Sequence, residues 1–562
     1  MNAPLDDDAV LAAARDWLAQ DPDPVTTAEL TRLIEAAQSG DGESLAALHD
    51  RFDTRLAFGT AGLRGELAAG PNRMNRVLVA QAAAGIASYL LARSAGDRPS
   101  VVIGYDGRTN SDVFARDTAE LMAGAGVRAV LLPRLLPTPV LAFAVRHLDA
   151  TAGVMVTASH NPPRDNGYKV YLGGADQGSQ IVPPVDAEIS AEILRVSEGD
   201  IRLLPRSDEF ELADESVIDA YVAATASVAG APAADGPAPT VAYTAMHGVG
   251  WQTAKRVFEA AGLPSPTLVA AQIEPDAAFP TVSFPNPEEP GAMDLAFATA
   301  RAAGADLVVA NDPDADRLAV AIPDAAAEGG YRRLSGNEVG ALLGWSAAEA
   351  ATDGVLAVSI VSSPALAAVA RAHHLDFAET LTGFKWVSRV PGLIFGFEEA
   401  LGYLVNPATV RDKDGISAAA AFLALACRLH AEGRTVADRL DDFAERFGYF
   451  ASDQISVRVR ELREIGDTMA RLRRDPPAAV GAVRVERIDD LQDGFGALPP
   501  SDVLRIHLDD GSRVIVRPSG TEPKLKIYID ASSDEGTLAE RRASATARVR
   551  DLAEGMSALL GV

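Results

Sequence analysis

A run of alternating acidic residues, NDPDADR at 311–317, carries the clearest chemical signal in this sequence. It follows the apolar segment DLVVA and places Asp312, Asp314 and Asp316 on one loop. Three like charges this close are unfavourable unless a cation offsets them, and ligand sets made only of oxygen suit a hard divalent ion such as Mg²⁺. An EF-hand is excluded, because Arg317 and Pro323 stand where that loop needs Gly and Glu. The pattern predicts a metal site, with a solvated acidic turn as the alternative.

A second signal is a serine that follows another apolar segment, in TASHNPPRDNGYKVY at 157–171. Ser159 stands at the tip of the predicted strand GVMV, and His160 comes next in the chain. A nucleophile elbow needs G-x-S-x-G, but Thr157 and Asn161 occupy the glycine positions. A serine without an obvious base can still carry a phosphoryl group, because phosphoserine needs charge neutralisation more than proton removal. The loop therefore favours a phosphoserine over a Ser–His–Asp hydrolase, with a plain Asn/Pro/Ser turn as the alternative.

A third segment, RPSGTEPKLKIY at 517–528, collects groups of the kind that bind oxyanions. Guanidinium forks, hydroxyls and nests of backbone N–H groups hold phosphate in proteins. The segment is not a P-loop, because the pattern G-x-x-x-x-G-K-[ST] is absent from it. We expect a phosphate-binding loop here rather than a surface turn, formed by Arg517, Ser519, Gly520, Thr521, Lys524 and Lys526.

Two further loops are weaker signals when taken alone. GFEEALGY, at 396–403, pairs Glu398 with Glu399, which could accept hydrogen bonds from sugar hydroxyls, and an exposed acidic turn is the alternative. FGTAGLRG, at 58–65, is a glycine-rich loop ending in Arg64. Arginines outnumber lysines heavily, and every lysine except Lys255 lies in or beside the loops with chemical signals. Positive charge is thus concentrated where an anionic substrate would need it.

The segments that position these loops alternate between strand and helix patterns. The first 55 residues have the apolar spacing of helices. From there, β-branched runs end in loops rich in Gly, Asp or Ser and are followed by helical segments, as in PSVVIGYDGRTNSD and GVLAVSIVSS. This alternation predicts α/β layers with mixed or parallel sheets. In such sheets ligands bind at the carboxyl ends of the strands, where these loops fall.

Changes in composition suggest four domains. Polar or loose stretches interrupt the pattern near 196–210 and 321–332, and after about 445 the segments alternate like antiparallel strands before a final helix at 534–559. We therefore predict three similar α/β domains with mixed sheets and a smaller C-terminal α+β domain. The predicted limits are 1–205, with the N-terminal helices and the serine loop, 206–326, 327–445 and 446–562.

The composition bounds the classes of function. The 562 residues carry a formal net charge of −27, which disfavours binding to nucleic acid or to an anionic membrane surface. Cys427 is the single cysteine, so an intrachain disulfide is impossible, and its apolar surroundings predict an inert core thiol. The acidic N-terminus does not resemble a signal peptide, and we find no apolar run of membrane-spanning length, so we expect a cytoplasmic protein.

Taken together, these loops resemble those of the α-D-phosphohexomutase superfamily, which includes phosphoglucomutases, phosphomannomutases and phosphopentomutases. The resemblance runs from about residue 50 to the C-terminus, with the motifs in the family's order. TASHNPPRDNGYK is similar to the family's phosphoserine loop, NDPDADR to its metal loop, GFEEALGY to its sugar-specificity loop and RPSGTEPK to its phosphate-binding loop. The resemblance implies four domains around a central cleft, each contributing one loop.

The resemblance also implies roles for individual residues. Ser159 would be the phosphorylated nucleophile and would bind Mg²⁺, one ion per chain, together with the three aspartates. Lys169 corresponds to the general acid/base, and Arg64 and His160 to its active-site neighbours. The substrate side would include Arg317, Gly383, Lys385, Glu398, Glu399 and Lys413, and the phosphate would be held by Arg517, Ser519, Gly520, Thr521 and Lys526.

The implied reaction moves a phosphate between C1 and the terminal hydroxyl of a sugar through a bisphosphate intermediate. A sugar 1,6-bisphosphate would act as activator, and the enzyme would be a monomer or a homodimer. GTAGLRG and GFEEALGY resemble the branch with phosphopentomutases and certain bacterial phosphoglucomutases, since Ala400 and Tyr403 stand where another branch has Ser and His. Glucose, mannose and pentose phosphates thus stay open as substrates. A sugar-bisphosphate synthase, a phosphohydrolase and a non-catalytic binding protein are the remaining alternatives.

Overall fold

The computed structural model describes residues 5–59, 62–94, 96–230, 238–459, 462–519 and 524–561. The chain divides into two compact units. The first comprises Met1–Arg333 and Asn406–Ala424, and the second comprises Leu334–Val405 and Leu425–Val562. A segment within the third predicted domain therefore packs with the first unit. No helix among the described residues is long and apolar enough to cross a membrane.

The chain begins with helices, as its apolar spacing predicts. They are α1 Asp7–Gln20, α2 Pro24–Gln38 and α3 Gly42–Phe52. Each begins after an aspartate whose carboxylate accepts a hydrogen bond from a free N–H group of the first turn, and such caps stabilise helix N-termini. Trp17, Leu30 and Leu48 are buried in the core shared with the first sheet.

The first sheet has the strand order β1-β5-β4-β2-β3-β7, with β6 paired to β5. Its strands are β1 Leu63–Glu66, β2 Ser100–Tyr105, β3 Arg128–Leu131, β4 Ala152–Val156, β5 Asp165–Leu172, β6 Ser179–Gln180 and β7 Glu211–Leu212. The helices that follow these strands are α4 Arg76–Arg93, α5 Ser111–Gly124, α6 Thr138–His147 and α7 Val185–Ser197.

The centre of this sheet is parallel, and its β1 edge is antiparallel. β2 lies parallel to β3 and β4, whereas β5 runs antiparallel to both β4 and β1. The apolar strands β2 and β4 are almost wholly buried, as expected for a sheet covered on both faces. Because β7 pairs with β3, the first sheet continues past residue 205, and we place the end of the first domain after β7.

The second sheet has the order β12-β11-β10-β8-β9. Its strands are β8 Val241–Thr244, β9 Thr267–Leu268, β10 Leu307–Asn311, β11 Leu318–Pro323 and β12 Tyr331–Arg333, and the helices of this region are α8 Ser216–Ala226, α9 Gly250–Ala260 and α10 Asp294–Ala303. β10 and β11 form an antiparallel pair whose connection is the acidic loop, residues 312–317. β12 pairs with β11, so this sheet continues past residue 326.

The second unit begins with a sheet of order β14-β13-β15-β16. Its strands are β13 Val355–Ser359, β14 Asp376–Thr380, β15 Leu393–Glu398 and β16 Gly402–Leu404, with helices α11 Gly336–Ala350, α12 Ala365–His373 and α13 Phe384–Val387. β13 lies parallel to its neighbours β14 and β15, and β16 turns back antiparallel to β15. Helix α14 Gly415–Ala431 follows, and its residues up to Ala424 belong to the first unit.

The C-terminal part of the second unit is an antiparallel sheet of order β17-β22-β21-β20-β19-β18. Its strands are β17 Tyr449–Arg458, β18 Ala479–Val480, β19 Val483–Asp490, β20 Leu504–Leu508, β21 Arg513–Pro518 and β22 Lys524–Ser533, and the helices are α15 Val436–Phe447, α16 Leu462–Arg474 and α17 Leu538–Leu560. The alternating segments and the final helix are confirmed. Helix α16 was not predicted.

Candidate active site

Ser159 lies in the loop between β4 and β5, residues 157–164, which we call the serine loop. The serine is 2% exposed, and its backbone has the left-handed φ of 51°. Its N–H donates to Thr157 Oγ1 over 2.8 Å, and its Oγ donates to Asp312 Oδ2 over 3.0 Å. The structure therefore brings the predicted nucleophile into contact with the acidic loop that follows β10.

The three aspartates of the acidic loop, Asp312, Asp314 and Asp316, are fully buried, and each offers an oxygen within 4.8 Å of the others. Oδ1 of Asp314 and Oδ1 of Asp316 are buried without a hydrogen-bond partner among the described residues. Buried carboxylate oxygens are costly unless something compensates them. Oxygen donors of this kind fit a hard divalent cation such as Mg²⁺.

Neighbouring elements hold the acidic loop in place. The Tyr243 hydroxyl, on β8, donates to Asn311 Oδ1, and the Asn311 amide donates to the Arg317 carbonyl, both over 2.8 Å. Thr138, at the start of α6, donates through its hydroxyl to Asp314 Oδ2 over 2.6 Å and through its N–H to the Asp314 carbonyl over 2.9 Å. The loop is thus fixed from both sheets of the first unit.

Two lysines face these carboxylates. Lys169, on β5, donates to Asp314 Oδ2 over 2.7 Å and to Asp316 Oδ2 over 2.8 Å. Lys413 lies 3.2 Å from Asp316 Oδ2. Lys413 lies within the predicted limits of the third domain, 327–445, and was expected on the substrate side, whereas the structure places it in the first unit against the acidic loop. The segment leading into α14 therefore brings a second lysine to the acidic loop.

The charges at this site act strongly on one another. Burial raises the pKa of Asp312, and the neighbouring carboxylates of Asp314 and Asp316 raise it further. For Asp316, burial acts in the same direction, but the Lys169 and Lys413 ammonium groups outweigh it and hold its pKa below the usual range. Burial alone would lower the pKa of Lys169, yet the carboxylates of Asp314 and Asp316 keep it above its ordinary value. The lysine is therefore an ammonium group at neutral pH.

Arg64 and His160 both lie at the serine loop. Arg64, on β1, donates from Nη1 to Asn161 Oδ1 over 3.1 Å. His160 Nδ1 is 3.4 Å from Ser159 Oγ and 3.6 Å from Asp312 Oδ2. Burial lowers the pKa of His160 well below its usual value, and the Arg317 and Arg64 guanidinium groups lower it further. The imidazole is therefore neutral at physiological pH, so one ring nitrogen can accept a hydrogen bond and the other can donate one.

The glycine-rich loop before β1 approaches β5 closely. Gly62 has the left-handed φ of 78°, and a Cβ atom there would collide with the carbonyl of Tyr168, the neighbour of Lys169. Only glycine fits this contact. The Gly-rich composition noted in the sequence thus serves to bring β1, and Arg64 on it, against the strand that carries Lys169.

Sequence reasoning missed Arg108, which also contacts the serine loop. It follows β2 in the segment GYDGRTNSD, and its side chain is buried beside Asp106. Its guanidinium donates to backbone carbonyls of the serine loop, including that of Ser159 over 2.6 Å. The available signal was an Asp-x-Arg pair at the carboxyl end of a buried strand, where side chains converge on the ligand site.

In the second unit, Gly383 and Glu398 are brought together. The Gly383 N–H donates to Glu398 Oε1 over 2.7 Å, at the start of the short helix α13 that carries Lys385. Glu398 ends β15 and is 8% exposed. Lys385 Nζ lies 5.8 Å from the centre of the Trp386 ring. A carboxylate fixed by a backbone N–H group is suited to accept hydrogen bonds from sugar hydroxyls.

Glu399 has a different environment from its neighbour. Its Oε2 accepts from the hydroxyls of Ser362, over 2.9 Å, and Ser359, over 3.3 Å, and its own N–H donates to Ser362 Oγ over 3.0 Å. Both serines are buried. These bonds fix the turn between β15 and β16. Of the paired carboxylates, Glu399 thus holds the loop, whereas Glu398 lies beside Gly383.

The predicted phosphate-binding loop joins β21 to β22. Arg517 and Lys526 are direct cross-strand partners, and Ser519 donates its N–H to the Lys524 carbonyl over 2.8 Å. Like charges directly opposite each other destabilise a sheet, and a bound anion would offset that cost. Gly520 and Thr521 lie outside the described residues.

Profiles of known protein domains match nearly the whole chain. The phosphoglucomutase/phosphomannomutase alpha/beta/alpha domains I, II and III match residues 55–200, 219–326 and 335–447, and the C-terminal domain of that family matches residues 457–547. The matches occur in the family's domain order and include each of the four loops described above.

Full-length relatives agree with this assignment. The chain is 55% identical over 471 residues to a protein of Haemophilus influenzae named "Probable phosphomannomutase", covering 83% of this chain and 95% of that protein. It is 34% identical over 574 residues to the phosphopentomutase of Mus musculus, covering 92% of this chain and 90% of that protein.

A solved structure shows the same fold. A phosphoglucomutase/phosphomannomutase family protein from Burkholderia thailandensis superposes with a TM-score of 0.67 at 21% identity, covering 90% of this chain and 98% of that chain. With four domain matches in order and relatives above 30% identity over most of their length, the chain belongs to the phosphoglucomutase/phosphomannomutase family of the α-D-phosphohexomutase superfamily and is a phosphosugar mutase.

Proposed function

We propose that this mutase interconverts the 1-phosphate and 6-phosphate of glucose or mannose through a phosphorylated Ser159 and a sugar 1,6-bisphosphate. The observation that carries the mechanism is the contact between Ser159 Oγ and the buried aspartates, 3.0 Å from Asp312 Oδ2. The hexose substrate is supported by the relative at 55% identity, which is named for mannose.

The proposed reaction consists of two phosphoryl transfers, one from Ser159 to the sugar and one from the sugar back to Ser159. In the first, a sugar hydroxyl oxygen forms a bond to the phosphorus of phosphoserine, the bond from that phosphorus to Ser159 Oγ breaks, and the hydroxyl proton ends on Ser159 Oγ. In the second, Ser159 Oγ forms a bond to the other phosphorus of the bisphosphate, the bond from that phosphorus to the sugar oxygen breaks, and the serine proton is replaced by one on the released sugar oxygen, so that no proton is gained or lost overall. The enzyme ends each cycle phosphorylated, and free sugar 1,6-bisphosphate serves as activator because it phosphorylates an empty Ser159.

The three aspartates and Ser159 are the residues we propose to hold Mg²⁺, one ion per chain. The close spacing of the three buried carboxylates supports this assignment, as do Oδ1 of Asp314 and Oδ1 of Asp316, which are buried without a hydrogen-bond partner among the described residues. When Mg²⁺ is bound, its charge offsets the negative charge on the transferring phosphoryl group. Lys169 adds an ammonium group beside the same carboxylates. We propose that it donates the proton to the sugar oxygen that is released, and that Arg64 and His160 stabilise the serine loop and the phosphoryl oxygens around it.

Residues of the second unit would bind the part of the substrate that does not react. Arg517 and Lys526, opposite each other on β21 and β22, are proposed to hold the second phosphate together with Ser519, Gly520 and Thr521. Glu398 would accept from sugar hydroxyls, with Gly383 and Lys385 beside it. Arg317 and Lys413 are proposed as substrate contacts next to the acidic loop.

A pentose phosphate is the second candidate substrate. The mouse phosphopentomutase aligns with 92% of this chain, more than the 83% covered by the relative named for mannose. The chemistry at Ser159 would be the same, with a 5-phosphate in place of the 6-phosphate.

The first experiment compares kcat/KM for glucose-1-, mannose-1-, ribose-1- and deoxyribose-1-phosphate, with Mg²⁺ and a catalytic amount of the matching bisphosphate. A preference for hexoses supports the proposal, and a preference for pentoses moves the enzyme to the second candidate. Release of inorganic phosphate would identify a phosphohydrolase. Net formation of bisphosphate at the expense of an external phosphoryl donor would identify a synthase.

The mechanism itself is tested with Ser159→Ala. We expect a folded protein whose turnover is at background level, because no other group forms the phosphoryl-enzyme. The matched control is Ser179→Ala, at a buried serine on β6 of the same sheet, which should keep its activity. Mass spectrometry of the wild type should locate phosphate on the peptide that contains Ser159. Normal turnover by Ser159→Ala would rule out the phosphoserine mechanism.

A further inference from the structure

The guanidinium of Arg108 is bound almost entirely by backbone carbonyls of one loop. Its Nη2 donates to the carbonyls of Ser159 and Asn161, both over 2.6 Å. Its Nη1 donates to the carbonyls of Pro162, over 2.9 Å, and Asp165, over 3.0 Å. These acceptors are spread along the serine loop and the first residue of β5. One planar side chain thus fixes the curvature of the whole loop.

Arg108 is itself held rigidly from two sides. It is 3% exposed, and the Asp106 carboxylate lies 3.6 Å from its Nε. Asp106 Oδ1 accepts from the Arg108 N–H over 2.9 Å and from the Ser111 hydroxyl over 2.7 Å. The ring of Phe279, from the region of the second sheet, lies with its centre 5.0 Å from the guanidinium carbon. A guanidinium clamped in this way has little freedom to follow a moving loop.

The conformation that Arg108 stabilises is an unfavourable one. Ser159 has a φ of 51°, and a left-handed backbone is unfavourable for a residue other than glycine. Strained backbone of this kind persists only where the surroundings hold it. Two bonds hold it here, the one from Arg108 to the Ser159 carbonyl and the one from the Ser159 N–H to Thr157 Oγ1. The same conformation places Ser159 Oγ 3.0 Å from Asp312.

We propose that Arg108 is a positioning residue for phosphoryl transfer, whose fork of four hydrogen bonds keeps the backbone of Ser159 left-handed and its Oγ directed at the aspartates. The inference rests on the proposed role of Ser159 as the phosphorylated residue. Arg108 acts through the loop backbone and touches no reacting atom. Its function requires the planar fork as well as the charge, because the single nitrogen of a lysine cannot reach carbonyls on both sides of the loop.

The test compares Arg108→Lys with the wild type in steady-state and single-turnover experiments. We expect kcat to fall about 100-fold, the scale of a displaced reacting group, while KM for the sugar phosphate changes by less than about threefold, because the substrate-binding side chains are unchanged. The rate at which glucose 1,6-bisphosphate phosphorylates Ser159, followed by mass spectrometry, should fall with kcat. Circular dichroism reports the folded fraction.

The matched control is Arg76→Lys. Arg76, at the start of α4, also forms a bidentate pair, but its bonds run to Asp117 on α5, over 2.7 and 2.8 Å, and not to the serine loop. We expect this variant to lose stability and to keep kcat per folded molecule. If Arg108→Lys behaves in the same way, Arg108 has only a structural role and the inference is wrong.

Phe279→Leu is the fallback variant if Arg108→Lys does not fold. It removes one wall of the guanidinium site and leaves the hydrogen bonds of Arg108, and it should lower kcat several-fold at unchanged KM. Unchanged kcat would contradict the inference.

The phosphorylation state of Ser159 separates failure of the inference from failure of the proposed function. If the wild type carries no phosphate on Ser159 and Ser159→Ala turns over normally, the proposed function has failed. If phosphate is present and only the Arg108 result is negative, the inference alone has failed.

Discussion

His247 is a buried imidazole whose charge state should affect stability. It lies in the turn between β8 and α9, next to the acidic loop, since Val249 of this turn donates its N–H to the Pro313 carbonyl over 2.8 Å. The imidazole Nε2 is 2.8 Å from Thr281 Oγ1 and the residue is 3% exposed. Burial lowers its pKa below the usual value, although Asp276 acts in the opposite direction. The unfolded chain therefore binds a proton there more tightly than the folded protein does.

The pH dependence follows from that difference in proton affinity. Stability from a neutral, buried His247 is fully present above the ordinary histidine pKa of about 6.5 and is lost as the pH falls through the lower pKa of the folded state. His247→Asn keeps a side chain that tolerates the φ of 59° and removes the titrating group. We expect it to cost about 1 kcal/mol at pH 7.5, for the lost hydrogen bond, and less at pH 5.5.

Thermal melting at both pH values measures this effect. The control is His374→Asn, an exposed histidine at the end of α12 with a similar φ of 57°. Subtracting the change in melting temperature of the control from that of His247→Asn isolates the contribution of burial. A difference in melting temperature between the wild type and His247→Asn that stays constant with pH would show that titration of this imidazole does not cause the pH dependence.

At the residue scale, the sequence predicted which residues carry the chemistry better than it predicted what surrounds each of them. Residue types and spacing singled out Ser159 and the aspartates as candidates, because phosphoryl transfer and metal binding need such groups in loops after strands, whereas Lys169 received its role only from the family resemblance. Arg108 was missed because its partners are backbone carbonyls, which every residue has, so the residue types of the serine loop do not indicate the contact. Glu398 and Glu399 looked equivalent, and only the positions of Ser359 and Ser362 separate them.

At the scale of elements, the geometry of the acidic loop depends on the strands behind it. The Tyr243 hydroxyl on β8 holds Asn311 at the end of β10, and Asn311 in turn holds the carbonyl of Arg317. Tyr243 and Asn311 are completely buried. Tyr243→Phe would leave Asn311 Oδ1 without its donor, which costs about 1–3 kcal/mol. We expect the affinity for Mg²⁺ to fall about tenfold, the scale seen when groups behind metal ligands are removed.

Calorimetric titration with Mg²⁺ measures that affinity directly and does not depend on turnover. The matched control is Tyr331→Phe on β12 of the same sheet, where the lost bond is the one from the hydroxyl to the Ala305 carbonyl, 2.6 Å long. Both variants should lose similar stability. Equal Mg²⁺ affinity in the two variants would show that the bond between Tyr243 and Asn311 does not support the metal site.

The elements themselves were mostly predictable, because apolar periodicity and the loops after strands determine them locally. Helix α16 was missed although its buried Ile465, Met469 and Leu472 have helical spacing, since the surrounding segments alternate like strands. The short strands β7 and β12 carry too little pattern to be recognised, yet each extends a sheet beyond a predicted domain limit. Pairing decides such edges, between neighbouring strands for β12 and between distant segments for β7, and one sequence does not show it.

At the scale of the whole molecule, the second unit joins two of the predicted domains. The sheet of β13–β16 and the sheet of β17–β22 share a buried apolar cluster, formed by Ile360, Val361, Leu381, Leu491, Val503, Ile515 and Tyr528. Arg513, on β21, crosses the same boundary. It donates to Asp530 over 2.8 Å, to Glu379 on β14 over 3.0 Å and to the Ser362 carbonyl. Glu379 is 134 positions away along the chain, so no local pattern could predict this contact.

Arg513→Met tests whether this contact makes the unit unfold as one body. Removing one partner of a buried ion pair typically costs about 3–5 kcal/mol, because the remaining carboxylate, here chiefly the 4%-exposed Asp530, stays buried without its counter-charge. We expect the calorimetric transition of the unit to fall by about 5–10 °C and to separate into two, since the connection between the sheets would then depend mainly on the apolar cluster and on the ion pair from Arg505 to Glu379. The control is Arg484→Met, which removes the exposed ion pair with Asp509 inside the C-terminal sheet and should shift the transition by about 1 °C or less.

Arg513→Met should also weaken sugar-phosphate binding, because the turn with Glu399 is attached to Ser362, and Ser362 to Arg513. A single transition, shifted no further than in the control, would mean that Arg513 does not couple the two sheets.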